Sequence, residues 1–137
     1  MQIIIDSNVL VAFVWENDPL HVQAMADVTR FSRDTFLTVP ATLAEVCHIL
    51  TNRKARRRFH HLLRQFPVEI FVDIERHHVA QVFAWLERYA EHRPDWADAS
   101  LVLTSALLPK AKVWTYDREF ATVWRRLDGS RIPLAVT

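Results

Sequence analysis

Four carboxylates in this sequence, Asp6, Glu45, Asp98 and Asp117, stand where a shared cation could gather them. Asp6 closes the apolar run Ile3-Ile4-Ile5, and Asp117 closes the β-rich run Lys112 to Tyr116. In open α/β sheets, ligands sit beyond the carboxyl ends of the strands. Acids from two such strands would therefore meet at one edge. Glu45, Asp95 and Asp98 fall near the starts of helices that follow loops at that edge, and Asp95 and Asp98, three apart, share a helix face. Carboxylates gathered in a cleft repel one another and stay ionised only when cations neutralise them. An all-oxygen ligand set selects a hard ion, Mg²⁺ or Mn²⁺. Such ions bridge a phosphodiester, lower the pKa of a water and stabilise a leaving oxygen. Taken singly, each acid also has a simpler role. An Asp after a strand is ordinarily a turn residue or an N-cap, and Glu45 and Asp98 suit the dipole of a helix N-terminus.

The elements that must position these acids alternate along the chain. Residues 2–5 read as a strand buried on both faces. Asn8 to Trp15 reads as a short apolar helix, and Pro19 can open the next, through Leu20, Val22, Met25 and Val28. Thr35 to Val39 is β-rich and stops at Pro40. Thr42 is expected to cap a helix over 43–52, with Glu45 completing a capping box. Residues 53–66 read as a basic helix with Phe59, Leu62, Leu63 and Phe66 on one side, and Val68 to Val72 as a strand. Residues 75–91 read as one long amphipathic helix. Pro94 precedes a helix carrying Trp96, Ala99, Leu103 and Ala106. A short helix with Phe120, Val123 and Trp124 follows Asp117, Gly129 ends it, and Ile132 to Val136 can add a last edge strand. Strands alternating with helices predict a mostly parallel sheet of four or five strands covered by helices on both faces.

The bulk numbers narrow the classes. The 137 residues suit one domain, 1–137. Half are apolar and 24% are charged, which is globular composition. No apolar run is long enough to span a bilayer, and the N-terminus has no signal-peptide pattern, so a cytoplasmic protein is expected. The lone Cys47 excludes an intrachain disulfide and a Cys-cluster metal site. The single glycine, Gly129, excludes phosphate-cradling loops, which need several. The net charge of +1 is near balance, but Arg53, Lys54, Arg56, Arg57, Arg58 and Arg64 fall in a stretch without a single acid. With His60 and His61 they could grip RNA phosphates; a solvated basic helix face is the equal alternative.

The segments Ile3-Ile4-Ile5-Asp6-Ser7-Asn8-Val9-Leu10, Ala44-Glu45-Val46, Asp98-Ala99-Ser100-Leu101 and Thr115-Tyr116-Asp117-Arg118-Glu119-Phe120 resemble, in order and spacing, the PIN-domain family and within it the VapC toxins of bacterial toxin–antitoxin pairs. Each motif is short; four in order across the chain are specific. The resemblance implies a three-layer α/β/α fold and a Mg²⁺- or Mn²⁺-dependent endoribonuclease, the toxin of a type II pair, cutting structured RNA such as tRNA or rRNA. It carries over Asp6, Glu45, Asp98 and Asp117 as catalytic metal ligands, with Asp6 and Asp98 holding one ion. Asp95 is a further acid, and Asn8 and Thr115 orient the carboxylates. Water would attack the phosphorus in line and leave a 5′-phosphate and a 3′-hydroxyl. The implied partners are RNA, a cognate antitoxin and a second copy in a homodimer, for which the apolar faces near residues 43–66 could serve. The alternatives are a non-toxin RNA-processing nuclease and a domain that binds RNA or a partner without cutting.

Other phosphoryl-transfer readings fit less well. A haloacid-dehalogenase-type phosphatase would need an acid where Asn8 stands, and a response-regulator receiver finds only Asp73 near its middle strands. His60-His61 and His77-His78 lack partners at zinc spacing and read as surface residues. Trp96, beside Asp95 and Asp98, could stack on a base, though core packing accounts for it better. Cys47 reads as a small buried hydrophobe, and Ser7 has no adjacent His to activate it.

Overall fold

The computed structural model describes residues 1–136; Thr137, the last residue of the expected single domain, lies outside them. The order is β1 (Gln2–Ile5), α1 (Ser7–Val14), α2 (His21–Val28), β2 (Thr35–Thr38), α3 (Pro40–Ile49), α4 (Arg53–Gln65), β3 (Val68–Ile70), α5 (Asp73–His77), α6 (Val79–Arg88), α7 (Trp96–Leu107), β4 (Lys112–Trp114) and α8 (Glu119–Thr122). The four strands form one parallel sheet in the order β3-β2-β1-β4. The chain runs outward from β1 through β2 to β3, then returns to pair β4 on the other side of β1. The strand order thus reverses between β1 and β4, where a doubly wound sheet opens a crevice at its carboxyl end. Asp6 follows one of these strands, and Thr115 to Asp117 follow the other.

Period-two alternation builds the layers. Ile3 and Ile5 point to one face, where they pack with Val9, Leu10, Phe36, Val46, Phe59 and Trp114. Ile4 points to the other and packs with Leu37, Val82, Trp85, Leu101, Val113 and Trp124. Helices α1, α3 and α4 cover the first face and α5 to α7 the second, so the expected parallel α/β/α architecture holds. Ile3 and Ile4 are fully buried, and each such side chain stabilises the fold by about 2 kcal/mol.

Five expectations are corrected. Helix α3 starts at Pro40, whose missing N–H costs nothing in a first turn. Thr42 therefore lies inside the helix, buried with its hydroxyl unpartnered, and forms no capping box with Glu45. The expected helix over 75–91 breaks at His78 into α5 and α6, followed by a 3₁₀ turn at Ala90–His92. His78 closes α5 with its N–H to Ile74 O at 2.9 Å but takes φ −131° and ψ 24°, off the helical region, and it is half-exposed. Strand β4 ends at Trp114, short of Tyr116. Residues 132–136 make only a single parallel bridge, Val113 to Leu134. Val113 N–H donates to Pro133 O and Ala135 N–H to Val113 O, both at 2.8 Å, and Pro133 has no N–H with which to extend the ladder. The expected short helix is α8, which ends at Thr122, before Val123 and Trp124 and well short of Gly129; Gly129 instead takes a left-handed φ of 86° in a separate turn, where its N–H donates to Arg126 O at 2.8 Å.

Candidate catalytic site

Asp6 is the first residue beyond β1, and its backbone N–H donates to Trp114 O at 3.0 Å, extending the β1–β4 pairing. It is also the N-cap of α1: Oδ1 accepts from Ser7 N–H at 2.7 Å. The other oxygen, Oδ2, accepts from the Thr115 hydroxyl at 2.7 Å and from the Asn8 amide at 3.3 Å. Asn8 crosses the switch point, since its Oδ1 accepts from Tyr116 N–H at 3.1 Å and its Nδ2 donates to Thr115 Oγ1 at 3.2 Å. Asp117 N–H also donates to Thr115 Oγ1, at 3.0 Å, and Asp117 Oδ1 accepts from Glu119 N–H. The ends of β1 and β4 are thus laced together around two carboxylates by the side chains of Asn8 and Thr115.

The other acids come from helices. Glu45 lies within α3, and Ser7 Oγ donates to its Oε1. Asp95 caps α7: its Oδ1 accepts from Asp98 N–H at 2.8 Å, while Asp98 Oδ2 accepts from Asp95 N–H at 3.0 Å. The sequence reading expected a capping box at Thr42 and Glu45 on α3 instead; the structure places one here, at the start of α7. Asp6, Glu45, Asp98 and Asp117 then line one pocket of roughly 300 Å³, with Asp18, Ser7 and Asn8 also in its wall and Trp15 and Ile49 among its apolar members. Asp95 stands just outside it.

The pocket is electrostatically uncompensated. Among the described residues the ion pairs are the N-terminus with Asp34 and Arg30 with Asp27; neither touches the four acids. Burial pushes the Asp6 carboxyl up to about 6, against the bonds from Thr115 and Ser7, with Glu45 and Asp117 adding to the rise. Glu45 is raised by burial and by the charges of Asp95 and Asp117, against the Ser7 hydroxyl. Asp98 is raised by burial, then by Asp95 and Asp6, against its bond from the Asp95 backbone. Among the described residues, no three acidic, imidazole or thiol groups converge closely enough to share an ion as the side chains stand. The fit to a cation lies in the donor chemistry: carboxylates without His or Cys, half-buried or buried, Asp6, Glu45 and Asp98 raised in pKa, and none of the four offset by a base. That set suits a hard divalent ion.

The basic helix is only partly available to a ligand. Arg56 donates from Nε to Leu50 O at 2.9 Å and from Nη2 to Cys47 O at 2.7 Å. It closes the open carbonyls at the end of α3 and so leaves the set expected to grip RNA. Arg53, Lys54, Arg57 and Arg58 remain exposed and without an acidic partner among the described residues. Arg56→Ala is expected to cost about 1 kcal/mol in urea unfolding, while Arg57→Ala stays within about 0.5 kcal/mol; equal costs would remove the capping role.

Asp18, in the pocket wall, and Ser7 are the site residues that sequence reasoning missed. The Ser7 hydroxyl was weighed only as a nucleophile, and nothing local shows that Glu45, 38 residues away, lies across from it. Cys47 is half-buried rather than buried. Trp96 is half-buried, its ring edge-on to Phe83 at 5.6 Å and its N–H donating to Glu75. His60, His61 and His77 are exposed.

Comparison with known proteins gives the same frame. The model of the PIN domain family matches residues 3–125. No curated protein matches the sequence. Among solved structures, the chain is similar to VapC20 of Mycobacterium tuberculosis, described as a sarcin–ricin-loop-cleaving toxin. The TM-score is 0.72 at 18% sequence identity, over 88% of this chain and 93% of that one.

Proposed function

Because the chain belongs to the PIN-domain family, we propose that it is a divalent-metal-dependent endoribonuclease, the toxin of a type II toxin–antitoxin pair, acting on structured RNA. The observation that carries this reading is one pocket lined by Asp6, Glu45, Asp98 and Asp117, with Asp18 a fifth acid in its wall and no base to neutralise them. The likeness to a toxin described as cleaving the sarcin–ricin loop supports ribosomal RNA as the substrate class, with tRNA the other structured candidate.

Asp6 and Asp98 would hold Mg²⁺ or Mn²⁺, with Glu45 and Asp117 completing the set and Asp95 adding negative charge from the rim. Such an ion supplies an activated water and charge neutralisation at the phosphodiester. The protein's own residues do the positioning. Thr115 and Asn8 fix the plane of the Asp6 carboxylate, and Ser7 fixes Glu45 relative to Asp6. Thr115 also receives the Asp117 backbone N–H, so one hydroxyl sets the spacing of two acids. Held side chains lose little freedom when a ligand arrives, which is the usual role of groups behind a metal's ligands.

Arg53, Lys54, Arg57 and Arg58 on α4 serve as phosphate contacts in this reading. Neutralising Arg53, Arg57 and Arg58 together is expected to flatten the slope of log affinity against log salt by about two to three; an unchanged slope would remove α4 from the RNA path. A cognate antitoxin and a second copy of the chain are the partners, with residues 43–66 as the homodimer face, and the cytoplasm is the compartment. No helix of the described residues is long and apolar enough to cross a membrane.

The deciding experiment is cleavage of total RNA by purified protein with Mg²⁺ or Mn²⁺, against EDTA. Discrete metal-dependent fragments are expected, and their mapped ends name the target. RNA binding without fragments would instead indicate a domain that grips RNA without cutting it. A neighbouring antitoxin gene would separate a toxin from an RNA-processing nuclease.

A further inference from the structure

A second cleft opens beside the acid pocket, between α2 and the segment that follows β4. It is lined by Gln23, Asp27, Arg30, Tyr116 and Arg118, and it shares Asp117 and Leu20 with the acid pocket. Its volume of roughly 430 Å³ is on the scale of a small-ligand site. The two compartments differ in charge. The acid pocket has no basic wall, whereas this cleft carries Arg30 and Arg118, both exposed. Arg118 has no ion pair or side-chain hydrogen bond among the described residues. Arg30 reaches only Asp27, at 3.7 Å.

The floor of the cleft is rigid. Asp27 is buried, and both of its oxygens are engaged: Oδ2 accepts from the Tyr116 hydroxyl at 2.7 Å and Oδ1 from the Gln23 amide at 2.9 Å. Tyr116 in turn accepts from the buried Trp114 indole at 3.2 Å. This chain of bonds ties α2 to the end of β4 and fixes the Gln23 amide. The amide oxygen and the second N–H of Gln23 stay available for a base edge. A polyanion whose reacting phosphate lies among carboxylates needs cationic contacts on the flanking phosphates, and Arg118, next to Asp117, is the nearest in sequence.

We propose that this cleft is the subsite for the RNA nucleotide adjoining the scissile phosphate. Arg118, with Arg30, holds its phosphate, and Gln23, oriented by Asp27, meets its base. The proposal rests on the ribonuclease reading of the neighbouring pocket, and the test separates the two. A short fluorescein-labelled single-stranded RNA with hydrolysis-resistant phosphorothioate linkages is titrated into Mg²⁺-loaded protein and followed by anisotropy at several salt concentrations. Arg118→Ala is expected to raise Kd about tenfold and to reduce the salt slope by about one. Arg118→Lys, which keeps the charge, should recover the slope. Gln23→Ala should leave the slope alone and narrow the difference in Kd between oligonucleotides of different base composition. Wild-type affinity and slope in Arg118→Ala, with wild-type base preference in Gln23→Ala, would overturn the subsite. Arg118-dependent binding by a protein that cuts no natural RNA would support the subsite and sink the nuclease reading.

Discussion

Asp98→Asn is expected to lower metal-dependent RNA cleavage at least about a thousandfold, the scale on which loss of one charge-stabilising group acts on a rate. The substitution removes a charge and little else. Asp98 Oδ2 accepts from the Asp95 backbone, and an asparagine oxygen can take the same bond, so the cap of α7 survives. The thermal midpoint in EDTA should stay level or rise, because a carboxyl that burial and two neighbouring acids disfavour has been replaced by a neutral amide. Asp6→Asn should lose cleavage to a similar degree with a different structural cost. Asp6 Oδ2 faces two donors, Thr115 and Asn8, and an amide N–H₂ placed there would meet them donor to donor. Single-turnover cleavage alongside calorimetric metal titration checks both variants. Wild-type rates in Asp98→Asn would remove this acid from the site.

The second large effect is on stability. In EDTA the protein should be weakened by about 2 kcal/mol as pH rises from 4 to 7, because Asp6 moves from an ordinary value of 3.8 to about 6 in the fold. Between those values the folded chain holds a proton that the unfolded chain has lost. The unfolded state binds fewer protons, so stability falls with rising pH across the window and levels off once both states are ionised. Glu45 and Asp98, also raised, push in the same direction. For a chain of this length the Asp6 contribution amounts to roughly 8 °C in Tm. A divalent ion that binds the ionised carboxylates should reverse the trend, with its stabilisation growing as pH rises. The difference in Tm between wild type and Asp6→Asn, followed with pH in EDTA and then in Mn²⁺, isolates this group from other titrations. A difference that does not change with pH would show that Asp6 is not held out of solvent between like charges.

The acids themselves were legible without coordinates. Strands ending in Asp6 and near Asp117 follow from apolar runs cut off by a polar residue, and the four short motifs resemble a family whose model covers residues 3–125. The parallel α/β/α fold follows from alternation of strand and helix, a pattern set by local side-chain periodicity. The same resemblance pointed to Asn8 and Thr115, whose side chains bond the Asp6 carboxylate.

Tertiary structure decided what depends on distant pairing. The reversal of strand order between β1 and β4 joins Asn8 to Thr115 across 107 residues, and no local pattern encodes which strand lies beside which. The Ser7–Glu45 bond, the Asp27–Tyr116 tie and the diversion of Arg56 to the end of α3 arise in the same way. A capping box needs only its own four residues, yet the choice of Asp95–Asp98 over Thr42–Glu45 turned on where each helix began, and Pro40 moved α3's start two residues before Thr42. The sequence by itself determined which residues could do chemistry, because residue type and local spacing set that. Which groups share a pocket, and whether a charge there has a partner, was decided by long-range packing, because burial and electrostatic compensation are properties of assembled layers rather than of any one segment.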